Sequence, residues 1–172
     1  MSERKMGAHH FKLDLVPRGH RPQCNEDGTY HGDFLLGFEL STDILQRLRS
    51  LLPKPNHWGN VEEFNSISEW GSDLRIWHAD DGRIESVVMR YAPVGDPNEV
   101  LQKFVRIVKD AGCDLLVQST FEIVPPEFDA VFAALRQHHA FRFLENPEGA
   151  IHEAARQNPE NKLRGGQTSR ET

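Results

Sequence analysis

Between Ser68 and Glu85 the chain reads SEWGSDLRIWHADDGRIE, which brings two tryptophans, a histidine and several carboxylates close together. His78 with Glu85, and Asp80 beside them, has the residue types of a general-base pair or of part of a metal site, because a carboxylate can fix the tautomer of the imidazole it bonds. Whether the pair forms depends on a turn. Asp81-Gly82 between two alternating runs is a type I′ hairpin signature. With those residues as the turn, Leu74 faces Met89, Ile76 faces Val87 and His78 faces Glu85 on one side of the ribbon. A three-residue loop would slip the register by one and separate His78 from Glu85. Asp80 and Asp81 serve the bend, and one histidine–carboxylate pair lacks the third group that a nucleophile or a metal requires. The expectation is a structural hairpin with no catalytic residue, His78, Glu85 and Asp80 being the candidates weighed.

Trp77 falls on the other face of the ribbon, opposite Ser86, with Arg75 opposite Val88. Tryptophan and arginine are enriched at binding hot spots. Trp58, between His57 and Gly59 on a proline-containing connection, is the second exposed candidate, whereas Trp70 reads as core. Glu62, Glu63, Glu69 and Asp73 add acidic character, which suits a basic partner. Trp77, Trp58, Glu69 and Asp73 are thus the expected binding residues.

Other chemistry has few pointers. His9-His10 and His138-His139 are adjacent pairs whose side chains diverge on a strand or helix, so neither is a preformed chelate. Cys24 and Cys113 lie far apart with no second pair to complete a thiolate site, and Cys113 reads as a small buried hydrophobe. Glycine-rich nucleotide loops and a Gly-x-Ser-x-Gly elbow are missing from the chain. No metal and no cofactor are expected.

The elements that must position these residues begin with Phe11, Leu13 and Leu15, which alternate with polar neighbours as a strand over 10–16. Leu15-Val16-Pro17-Arg18-Gly19 also spells a protease-cleavage sequence common in expression vectors, but the alternation favours native sequence. Phe34, Leu36, Phe38 and Leu40 recur with period two and predict a strand over 33–40; Ser41 or Thr42 then caps a helix that Pro53 ends. Residues 53–66 show no sustained period and predict a long connection with a short helix near 61–64. After the hairpin, Asp96-Pro97-Asn98-Glu99 predicts a capped helix that runs to Gly112. A strand at 114–118 that continues or turns into 121–124 follows, then a helix opened by Pro125-Pro126, and a last helix from 146.

Counted from residue 33, the order strand, helix, strand, strand, helix, strand matches the ferredoxin-like βαββαβ pattern. The predicted class is α+β: two layers, a mixed or antiparallel sheet, helices on one face and a helical C-terminus. Strand 10–16 is expected at an edge or beside 33–40. A length of 172 residues predicts one domain over 1–156, with its core in 33–155 and a disordered polar tail over 157–172. The net charge of −6 argues against a nucleic-acid partner. No run approaches eighteen apolar residues, which argues against a membrane span, and the cytoplasm is the expected location.

Trp70-Gly71, Asp81-Gly82-Arg83-Ile84, Arg90, Gly112-Cys113, Pro125 and Ala140-Phe141-Arg142-Phe143-Leu144-Glu145-Asn146-Pro147-Glu148-Gly149 together form a pattern over roughly residues 41–155. The pattern resembles a group of small bacterial single-domain proteins with no assigned reaction. The resemblance implies a bacterial single domain and carries over no catalytic residue.

The resulting expectation is a non-enzymatic interaction module, inhibitor- or immunity-like, that docks a protein partner through an acidic and aromatic surface, with room for a homodimer. The competing expectation is a small enzyme or ligand-binding protein with a pocket around His78 and Glu85.

Overall fold

A computed structural model describes residues 10–138 together with Phe141 and Asn146. The chain forms β1 (Phe11–Pro17), α1 (Thr42–Arg49), β2 (Lys54–Trp58), β3 (Val61–Asn65), β4 (Asp73–His78), β5 (Ile84–Tyr91), α2 (Asn98–Asp110), β6 (Cys113–Val117), β7 (Glu122–Val124) and α3 (Phe128–Gln137). The class is α+β. Seven strands make one sheet in the order β2-β3-β4-β5-β1-β6-β7, and every neighbouring pair is antiparallel.

Alternation decides what each strand buries. Phe11, Leu13 and Leu15 of β1 share a face with Leu74 and Ile76 of β4, Val87 and Met89 of β5, and Leu115 and Val117 of β6. That face meets Ile44 and Leu48 of α1, Leu101, Phe104 and Val108 of α2, and Val131 and Leu135 of α3 in one cluster. Each fully buried Leu, Ile or Phe there is worth roughly 1.5–3 kcal/mol against exposure. Ser41 caps α1 by accepting from Ile44 N–H at 3.3 Å, as its hydroxyl predicts.

Several expectations are corrected. Strand β1 is interior to the sheet rather than an edge; it pairs with β5 on one side and β6 on the other. Because it runs antiparallel to both, β5 and β6 are parallel to each other, and β5-α2-β6 is a split βαβ unit around it. Residues 33–40 form no strand. Gly37 turns the chain at φ +82, Phe38 N–H donates to Leu35 O, and Leu36 is left outside while Phe34 and Leu35 are buried. A strand of period two would have Phe34 and Leu36 on one face. Residues 53–66 are likewise not a connection with a helix but the β2–β3 hairpin, reversed at Gly59-Asn60 with Gly59 at φ +54. Glycine in the first of two turn positions is the type II′ pattern. The βαββαβ count therefore does not describe this sheet. The expected helix from residue 146 and the tail from 157 lie outside the described residues.

Asp96 takes a different part from the one its sequence position predicts. The cap residue of α2 is Pro97 with no side-chain bond. Asp96 instead accepts from Ser66 Oγ at 2.6 Å and from Ser72 N–H at 2.5 Å, while Ser72 Oγ accepts from Ala92 N–H at 2.9 Å. The turn between β3 and β4 is thereby clamped to the turn before α2. The two backbones meet so closely that a Cβ on Gly95 would lie 2.6 Å from Gly71 Cα and from Trp70 O. Gly95→Ala should lower the unfolding free energy by about 2 kcal/mol, the cost of overpacking against backbone. Gly32→Ala, which meets nothing within 4 Å, should change it by no more than about 0.5 kcal/mol. Urea unfolding of the two variants checks this.

Candidate functional site

The β4–β5 hairpin forms where Asp81-Gly82 predicts it, with a different loop. Gly82 N–H donates to Ala79 O at 2.9 Å and Ala79 N–H to Arg83 O at 2.8 Å, with Gly82 at φ +84. Three residues, Asp80 to Gly82, make the bend. Farther out Leu74 faces Met89, Ile76 faces Val87 and Trp77 faces Ser86, as predicted, because a bulge between Trp77 and His78 absorbs the one-residue slip. His78 consequently faces Ile84, and Glu85 is the extra residue of the bulge. The His78–Glu85 pair does not form.

His78 finds another carboxylate. Its Nε2 lies 2.7 Å from Glu62 Oε2 and its Nδ1 lies 3.1 Å from Gly82 O. Arg49 reaches from α1 to donate two bonds of 2.9 Å to Glu62. The Arg49 guanidinium, assisted by His78, holds the Glu62 carboxyl below the usual carboxylate range against a smaller effect of burial. Both ring nitrogens of His78 thus have a partner within the chain. The cluster ties α1 and β3 to the β4–β5 bend. Asp80, the other candidate, accepts from Asn60 Nδ2 at 3.2 Å across the neighbouring turn.

Trp58 and Trp77 do come together. They stand edge to face with ring centroids 5.4 Å apart, Trp58 being 41% exposed and Trp77 half-buried. Arg75 lies over the Trp58 ring at 5.9 Å, and Trp58 Nε1 donates to Glu63 Oε2 at 3.2 Å. Arg75 Nε is 3.1 Å from Glu63 and 3.1 Å from Asp73, and Arg90 is 3.2 Å from Asp73. A ladder of opposite charges therefore crosses β3, β4 and β5 on the face away from the helices. Lys12 of β1 extends it; burial, then the Arg90 and Arg75 charges, push its pKa below the ordinary lysine value.

Asp73 is buried in this ladder, which corrects its expected place on a binding surface. Glu69 is exposed, but it sits in the turn between β3 and β4, at the opposite end of the ribbon from Trp58 and Trp77. Trp70 in the same turn is 59% exposed, not core. Glu62 and Glu63 are bonded within the chain, so the surface around the tryptophan pair is aromatic rather than acidic.

Two features escaped the sequence reading. Asp14, in the central strand and buried, accepts from Tyr30 Oη at 3.0 Å and Gln118 Nε2 at 2.9 Å. Burial pushes its carboxyl up to about 6 although both bonds pull the other way. A carboxylate among Leu13, Leu15 and Val16 is the signal that could have marked it. The second feature is an open cleft built by residues 17–38, a segment that reads only as a loop.

The remaining candidates are structural. His10 Nε2 lies 3.2 Å from Gly71 O, and His138 packs edge-on against Phe11 at 5.3 Å. His9 and His139 lie outside the described residues. Burial raises the Cys113 thiol to about 11, which suits an inert core thiol. Leu15 and Val16 of the Leu15–Gly19 stretch are fully buried in the central strand. Among the described residues no group of three metal-ligating side chains converges and no helix is long and apolar enough to cross a membrane.

No protein-family model matches the chain, and no solved structure matches it.

Two outcomes test this geometry. Glu62→Gln should lower the unfolding free energy by about 1 kcal/mol, the scale of partly screened charged bonds, whereas Glu85→Gln should leave it within about 0.3 kcal/mol. Equal losses would restore Glu85 as the partner of His78. Because the folded state raises the Asp14 pKa from 3.8 to about 6, its contribution to stability is full below pH 4 and falls as pH rises through 6. Between pH 4 and pH 8 the difference in unfolding free energy between wild type and Asp14→Asn should therefore move by about 2.5 kcal/mol in the variant's favour, measured by denaturant titration at each pH.

Proposed function

We propose that the protein is a non-enzymatic interaction module of the bacterial cytosol, inhibitor- or immunity-like, that docks a protein partner at the Trp58–Trp77 end of the sheet. The observation that carries the reading is the edge-to-face pair of Trp77 on β4 with Trp58 on the edge strand β2, whose residues are all exposed. Tryptophan with an overlying arginine is the composition of a hot spot, and Arg75 and Glu63 hold the Trp58 ring in place before any partner arrives. The net charge of −6 favours a basic partner through long-range attraction, while the contact itself is aromatic. His78, with both nitrogens engaged, supports no competing enzymatic reading.

Pairing along the free edge of β2 is a poorer mode of docking. Alternation from the two-residue turn directs Pro55 outward, where it offers no N–H to an added strand. Side-chain docking is left.

The full chain, tagged and recovered from cells of its source, should enrich a partner protein that Trp58→Ala fails to enrich. With the purified pair, the variant should bind at least about thirtyfold more weakly, the threshold of a hot spot, while still unfolding cooperatively above the assay temperature. A partner held equally by the variant would place the interface elsewhere and overturn the proposal.

A further inference from the structure

The segment between β1 and α1 lines an open cleft of about 670 Å³ whose lining, Pro17, His20, Arg21, Asp33, Phe34 and Leu36 among others, includes neither tryptophan of the pair. Its size falls within the range of small-molecule sites. The walls are tied to the sheet at several points. Arg18 N–H donates to Gly112 O at 3.2 Å, Leu35 N–H to Glu85 O at 3.0 Å, and Tyr30 Oη to Asp14 at 3.0 Å. Tyr30 stacks on Phe34 at 5.8 Å, and both belong to the small apolar cluster with Val16 and Leu116. A loop held in this way is a formed cleft.

Arg18, Arg47, Arg49, Arg75, Arg83 and Arg90 each pair with a carboxylate of the chain. Arg21 and Asp33 line the same cleft, yet among the described residues neither side chain makes a hydrogen bond or ion pair, with each other or with anything else. Leu36 beside them is 38% exposed, and the His20 ring stands 6.1 Å from Phe34 as a further apolar wall.

We infer that this cleft binds a small monocarboxylic acid with an aromatic or branched apolar body, the carboxylate on Arg21 and the body against Phe34 and Leu36. The guanidinium fork matches a carboxylate through two parallel bonds. Asp33 and the chain's net negative charge disfavour a ligand of higher charge, such as a phosphate, so the same lining that accepts one carboxylate rejects polyanions.

Hydrocinnamate titrated into the full-length protein, followed by amide NMR, should give saturable shifts in residues 17–38. Hydrocinnamide, which lacks the charge, and the Arg21→Gln variant should each raise Kd by about tenfold, and Leu36→Ser should raise it with an unchanged unfolding midpoint. Inorganic phosphate should bind more weakly than the acid. The inference is overturned if no saturable shift appears, if the amide or Arg21→Gln binds as tightly as the parent pair, or if phosphate matches the acid. Trp58→Ala should leave this binding unchanged, which keeps its failure separate from that of the docking proposal.

Discussion

The fold depends on β1 finding two partners. A strand from near the start of the chain enters between β5 and β6, which are joined to each other only through α2, and its backbone groups complete the ladders of both. Without it the β2–β5 meander and the β6–β7 hairpin would each end in an unpaired edge inside the molecule, and buried backbone groups left in that state are costly. A central strand is buried on both faces. Its core side takes Phe11, Leu13 and Leu15; its other side takes Lys12, Asp14 and Val16, so two ionisable groups are carried into the middle of the sheet with the backbone. Tyr30 and Gln118 answer the carboxyl, whereas burial and then the Arg90 charge across the ladder lower the pKa of Lys12.

The same neutralisation recurs along the ribbon, and it decides what the surface can do. Glu62 is shared by Arg49 and His78, Glu63 by Trp58, Asn65 and Arg75, and Asp73 by Arg75 and Arg90. A carboxylate engaged by a guanidinium is a poor general base, since its charged form is stabilised and its basicity reduced. An aromatic ring braced by such groups is a better anchor, because less side-chain freedom is lost on binding. The groups that engage these carboxylates are thus the ones that hold the Trp58 ring in place.

Where the sequence was legible, a single local preference prevailed. The apolar stripe from Val100 to Val108 produced α2, Ser41 capped α1, and Asp81-Gly82 produced the β4–β5 reversal. Where it misled, a tertiary partner chose among local options. Phe34, Leu36 and Phe38 alternate as in a strand, but Leu35 N–H bonds to β5 and Gly37 turns the chain. Asp96 has the position of a cap and the bonds of a clamp, since Ser66 and Ser72 arrive from a distant turn. Gly59-Asn60 did carry a readable hairpin signal, hidden by Pro53 just before the strand and by Pro55, which an exposed edge strand tolerates. The tryptophan pair was half legible: the residue types were evident, and only the pairing of β2 with β3 brought them together. The cleft was not legible at all, because its walls come from a loop whose shape is set by contacts with Asp14, Glu85 and Gly112.

One irregularity links the quiet hairpin to that cleft. The left-handed Gly82 makes a three-residue loop, the loop slips the pairing by one, and the bulge at Glu85 restores register so that Trp77 still meets Ser86. A bulged residue sits outside the regular ladder, and its carbonyl needs a donor from elsewhere. Leu35 N–H supplies it at 3.0 Å and so fixes the 34–37 turn that forms one wall of the cleft. A two-residue turn would have given His78 its predicted carboxylate and returned Glu85 to the ladder, leaving the loop without this anchor. The bend that undoes the candidate catalytic pair is therefore also what seats the loop that lines the cleft.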